Sequence, residues 1–107
     1  MNRVMDVPSL SPQQRAAALE KAAKARRERA DVKARLKSRE ITLAQALEMA
    51  ETSPAIAKMP VYALLKSLPR VGTTTATEVM EEIGISQSRR IRGLGEHQRA
   101  ALLSRFS

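Results

Sequence analysis

Arg89, Arg90 and Arg92 crowd the turn Arg89-Arg90-Ile91-Arg92-Gly93-Leu94-Gly95, just ahead of a helix that the pattern starts near Glu96. Guanidinium groups present forked donors that match phosphate oxygens. Glycine removes the Cβ that would keep a ligand off the main chain. The first turn of a helix leaves amide N–H groups free at the positive end of the helix dipole. The chemistry implied is anion binding, and a phosphate backbone suits it. No carboxylate follows these arginines until Glu96, and alternation turns Ile91 inward when the arginines point out.

A second turn of the same kind lies upstream. Leu68-Pro69-Arg70-Val71-Gly72-Thr73-Thr74-Thr75-Ala76 joins two apolar helical patterns. In such a hairpin the apolar residue before glycine plugs the core, while glycine and the next two amides face outward as a small anion site. The threonine hydroxyls can cap those amides or donate to a phosphate, and Thr75 with Glu78 has the spacing of a capping box. A tight αα turn without a ligand has the same signature.

The elements that hold these turns read as helices throughout. Ser11-Pro12-Gln13-Gln14 combines an N-cap serine, proline at the first helical position and glutamine at the third, and nothing breaks the helix until about Arg39. Such a helix, about 27 residues long, spans about 40 Å. Its apolar positions are mostly alanine, with only Leu19, Val32 and Leu36 larger, so it packs shallowly. Thr42 and Gln45 open a second helix ending near Thr52, and Ser53-Pro54 starts a brief turn. Tyr62 to Leu68 has helical spacing closed by Pro69; Ala76, Val79, Met80 and Ile83 continue it until Gly84; and Ala100 to Phe106 carry the last helix. No strand pattern is present. The expectation is an all-α protein: a flexible stretch at 1–10, a long basic helix at 11–40 and a compact helical domain at 41–107.

Charge points to the partner. Nineteen Lys and Arg against eleven Asp and Glu give a formal net charge of +8 and a pI near 10.9. Between Lys21 and Arg39 nine basic residues face two acidic ones, a local excess of seven. Lys21, Lys24, Arg26, Arg27, Arg29, Lys33 and Arg35 are candidates for an accessory arm along nucleic acid; a solvated helix face is the plainer alternative. A membrane-surface helix would need a bulkier apolar face. Tyr62 and Phe106 are the only aromatics and both fit core packing, so stacking on single-strand bases is scarcely available and duplex is preferred. No apolar run is long enough to cross a bilayer, and Met1-Asn2-Arg3-Val4-Met5-Asp6 lacks a signal core; the cytoplasm is expected.

Enzyme chemistry finds little support. There is one histidine, His97, no cysteine, and no acidic cluster spaced like metal ligands, so neither metal nor cofactor is expected.

Leu68 to Ser86, with Val71-Gly72, Ala76, Glu78-Val79 and Gly84-Ile85, resembles the helix-two-turn-helix shared by formamidopyrimidine-type DNA glycosylases and a small-subunit ribosomal protein. The glycosylases' catalytic N-terminal proline and zinc-binding cysteines are absent here. A closer resemblance covers nearly the whole chain. Leu10 to Ala23, Lys58-Met59, Ala63-Leu64-Leu65, Leu68-Pro69-Arg70-Val71-Gly72 and Arg89 to Gly95 are similar, in order and spacing, to the actinobacterial integration host factor family. That resemblance implies a monomeric nucleoid-associated protein that binds duplex DNA with little sequence preference, bends and compacts it, influences supercoiling and assists an integrase. By position it implies DNA contacts at Leu68, Pro69, Arg70, Val71, Gly72, Thr73, Thr74 and Thr75, as a lid. It also implies contacts at Ser86, Gln87, Ser88, Arg89, Arg90, Ile91, Arg92, Gly93, Leu94, Gly95, Glu96, His97 and Gln98. The family has lysine after Gly72 where this chain has threonines, which shifts expected charge from the lid to the arginines. RNA or ribosome binding is the second reading, and a helical adaptor for an acidic protein the third.

Overall fold

The structure is a computed structural model and describes residues 10–106; most of the stretch expected to be flexible, 1–10, lies outside the described residues. Six α-helices follow in order: α1 (Pro12–Lys37), α2 (Leu43–Met49), α3 (Pro54–Ala57), α4 (Val61–Lys66), α5 (Thr73–Ile83) and α6 (Glu96–Phe106), with one 3-10 turn at Ile91–Gly93. The described residues contain no strand, and one isolated antiparallel bridge links Pro60 and Arg90.

Both expected capping boxes form. Ser11 Oγ accepts from the Gln14 amide at 3.0 Å while Gln14 returns a bond to the Ser11 amide at 2.8 Å. Thr42 and Gln45 repeat the arrangement at 3.1 and 2.8 Å. The third anticipated box does not. Gly72, at φ −101°, is the N-cap of α5, with no side-chain cap, and the Ala76 amide bonds the Gly72 carbonyl. Thr73, Thr74 and Thr75 are thus already helical, because burial of Val71 pulls the chain into the helix too early for Thr75 to cap it.

The core gathers Val32 and Leu36 of α1 with Leu47, Met59, Leu64, Leu65, Met80 and Leu102, all nearly or fully buried. α3 packs on α1 and α5 on α4. Ser53 caps α3 and also donates to Glu28 Oε1 at 3.1 Å, fastening that short helix to α1. From Pro12 to Ala22 every residue of α1 is exposed, Leu19 at 72% among them, which explains the 56 × 29 × 24 Å extents of so short a chain. Alanine-rich turns have too little apolar surface to dock. Gly84 ends α5 in the left-handed region at φ 85°, where glycine carries no Cβ penalty.

Candidate nucleic-acid interface

The hairpin between α4 and α5 is held from within. Leu68 and Val71 are buried, Pro69 and Thr75 half-buried, and Arg70, Gly72, Thr73 and Thr74 exposed. The left-handed residue of the turn is Arg70, at φ 65°, not Gly72. For a residue with a Cβ that conformation costs about 1 kcal/mol. The sequence pattern shows only glycine as a sign of such a bend, so this was missed. A Cβ on Gly72 would meet nothing within 4 Å, so nothing inside the protein requires glycine there. Its bare backbone faces open space beside the uncapped start of α5. We expect Gly72→Ala to leave stability within about 0.5 kcal/mol. If ligand backbone approaches here, the same change lowers affinity several-fold; unchanged affinity in a binding titration would remove this position from the interface.

Lys37 braces the hairpin. Its Nζ donates to the Leu68 carbonyl at 3.2 Å and the Lys66 carbonyl at 3.4 Å, a cation against the negative end of α4. Only the fold brings it there.

The arginine turn is clamped at both ends. The Val61 amide bonds the Arg89 carbonyl and the Ile91 amide bonds the Met59 carbonyl, each at 2.9 Å, which pins the turn to the start of α4. Ile91 is buried, as alternation required. Arg89 Nη1 folds back to the Gly93 carbonyl at 2.7 Å, and Arg90 Nη1 reaches the Lys58 carbonyl. Arg92 is exposed and, among the described residues, makes no hydrogen bond or ion pair. A Cβ on Gly93 would come 3.1 Å from Arg89 Cδ, so this glycine makes room for a side chain of its own protein. Ser86, Gln87 and Ser88 are exposed, and the two serine hydroxyls lie 3.3 Å apart. Leu94 packs half-buried against the core.

The start of α6 differs from the expectation of an open anion seat. Gln98 Oε1 accepts from the Gly95 amide at 3.0 Å, and Gln98 Nε2 donates to the Gly84 carbonyl at 3.1 Å. One side chain therefore caps this helix and ties it to the end of α5, a positioning role. Glu96 places its carboxylate in the first turn, where it offsets the dipole an anion would use. His97 is exposed.

The arginine turn is pinned at the start of α4 and the hairpin follows its end, so the six residues of α4, about 9 Å, stand between the two turns. The accessory cations divide. At about 100° per residue, Arg26, Arg29, Lys33 and Lys37 share the flank of α1 that faces α4, with no carboxylate among them. Lys21, Lys24 and Arg35 share the other flank with Glu28 and Asp31, and Arg27 points away from the core. Arg35 lies beside Asp31 at 3.1 Å and Glu40 at 3.4 Å, and these exposed pairs offset its charge locally. Glu51 pairs with Arg99 at 3.4 Å.

The S13-like H2TH domain family matches residues 36–106. Integration host factor of Streptomyces coelicolor is 54% identical over 102 residues, covering 95% of this chain and 95% of that protein. The integration host factors of Mycolicibacterium smegmatis and Mycobacterium tuberculosis are 54% and 53% identical, each over 95% of this chain and 97% of its own length. The chain belongs to the integration host factor family. A solved structure of sIHF bound to an 8-base-pair palindromic DNA superposes with a TM-score of 0.80 at 51% identity, covering 82% of this chain and 99% of that one. As a member of the integration host factor family, this chain has an all-α fold with the helix-two-turn-helix at its centre. Among the described residues no cluster of His, Cys, Asp or Glu could hold a metal, and no helix is long and apolar enough to cross a membrane.

Proposed function

We propose that this protein is a nucleoid-associated protein that binds double-stranded DNA through its phosphate backbone with little sequence preference. The observation that carries this reading is the relative solved on an 8-base-pair duplex, 51% identical to this chain, together with the clustered cations found here. Arg89 and Arg90 spend single donors on neutral carbonyls, and among the described residues no carboxylate pairs with them or with Arg92, so their charge stays uncompensated. An arginine has five N–H donors, and one internal bond orients the fork without exhausting it. Pro69, Arg70, Gly72 and the first-turn threonines form the second contact, and Arg26, Arg29 and Lys33 extend it along α1. Contacts on two neighbouring turns and along α1 favour a curved duplex, so the protein bends and compacts DNA, constrains supercoils and prepares sites for an integrase, working as a monomer in the cytoplasm.

Energy transfer between dyes on the two ends of a duplex tests bending. The end-to-end distance is expected to shorten on saturation, and an unchanged distance rejects bending. The S13-like character of the matched domain makes structured RNA the second reading. Competition between equal-length DNA and RNA duplexes decides it: DNA is expected to win, and a clear preference for RNA sinks the DNA reading.

A further inference from the structure

Neither turn includes the cleft between α1 and α4. It encloses about 290 Å³ and is lined by Lys33, Tyr62, Ala63, Lys66 and Ser67. No carboxylate lines it, and among the described residues neither Lys33 nor Lys66 has an ion-pair partner. The Lys66 ammonium stands 5.3 Å from the centroid of the Tyr62 ring, which steadies the cation without neutralising it. Ser67 spends its hydroxyl on the Ala63 carbonyl at 2.9 Å, whereas the Tyr62 hydroxyl has no hydrogen bond among the described residues. Two ammonium groups and a phenol donor therefore face one cleft with no internal anion. A cleft lined by one sign of charge concentrates counter-ions of the other.

The surroundings identify the anion. Ser67 leads directly into the hairpin, and Lys37, one turn beyond Lys33, is bonded to the Lys66 and Leu68 carbonyls. In the other direction Arg29 and Arg26 continue along the same flank of α1. The cleft is thus the middle of a line of cations about 16 Å long from Arg26 to Lys37. A line suits a polymer backbone better than a small anion. We propose that Lys33, Lys66 and Tyr62 seat a phosphate group of the same duplex whose neighbouring phosphates lie on the hairpin, joining α1 and α4 into one contact. This rests on the duplex-DNA reading.

The test is the salt dependence of binding to a labelled duplex of about 20 base pairs, followed by fluorescence anisotropy. Lys33→Gln combined with Lys66→Gln removes one phosphate contact and is expected to lower the log–log slope by about 0.9 and weaken binding roughly fivefold near physiological salt. Lys33→Arg with Lys66→Arg is expected to retain slope and affinity. Tyr62→Phe is expected to cost about threefold with the slope unchanged, because the lost donor is neutral. Should the double glutamine variant melt early, Lys66→Gln alone is expected to lower the slope in the same direction. If the wild-type protein binds duplex and the glutamine variants keep its slope, the cleft is not a phosphate seat. Equal losses in the arginine and glutamine variants overturn it too. Failure of the wild-type protein to bind duplex at all would instead overturn the proposed function.

Discussion

Replacing Arg89, Arg90 and Arg92 together by glutamine is expected to lower duplex affinity by about two orders of magnitude near physiological salt and to reduce the log–log salt slope by about 2.7. The loss is expected on every duplex sequence alike, since phosphate contacts carry no sequence information. Glutamine is too short to replace the Nη1 bonds to the Lys58 and Gly93 carbonyls, but the turn stays pinned by the Val61 and Ile91 amides and by buried Ile91. Arg35→Gln is the matched control. It removes one positive charge, but Asp31 and Glu40 already compensate that charge, so the slope should change by far less than the roughly 0.9 of one free arginine. Salt titrations of the two variants against the wild type, with melting curves for the fold, give the comparison. A slope reduced by less than about one in the triple variant would remove the arginine turn from the interface. A loss confined to one sequence would make these arginines readers of bases.

Leu64→Ala is expected to destabilise the fold by about 3 kcal/mol and to lower Tm by on the order of 15 °C. Leu64 is 0% exposed on α4, which packs against α5, and truncation leaves a cavity that the short helix cannot close by tilting without dragging the hairpin that Lys37 braces. A domain of this size holds only about 5–10 kcal/mol in reserve, so the change consumes a large part of it. Leu19→Ala is expected to change stability by less than about 0.5 kcal/mol. That leucine projects from the undocked part of α1, and alanine is the better helix former. Urea or thermal unfolding compares the two. Below its melting point the Leu64 variant should keep the wild-type salt slope, because no cation has moved. A cost below about 1 kcal/mol for Leu64, or equal costs for both leucines, would contradict the core described here.

Much of this molecule was legible because its signals are local. Ser11 with Gln14 and Thr42 with Gln45 act over three residues, Pro54 and Gly84 mark ends where they stand, and the spacing of Ala76, Val79 and Met80 names its own buried face. The cations of the arginine turn, the inward Ile91 and the all-helical fold followed from the same short-range reasoning, and the resemblance carried the family. The Thr75–Glu78 box failed although its spacing was right, because burial of Val71, a tertiary event, set where α5 begins.

What only the tertiary structure decided are relations between residues far apart in sequence. Composition counted nine cations between Lys21 and Arg39 but could not separate the flank that shares Glu28 and Asp31 from the flank turned to α4, nor foresee that Glu40 would return to Arg35. It could not show Lys37 reaching back to Leu68, Arg90 to Lys58 or Gln98 to Gly84, nor Lys66 standing over Tyr62 beside Lys33. Backbone periodicity determines which side chains share a face. Which of those faces meet, and therefore which charges are cancelled inside the protein and which remain for a partner, depends on how the helices pack around Leu64, Met80 and Leu102.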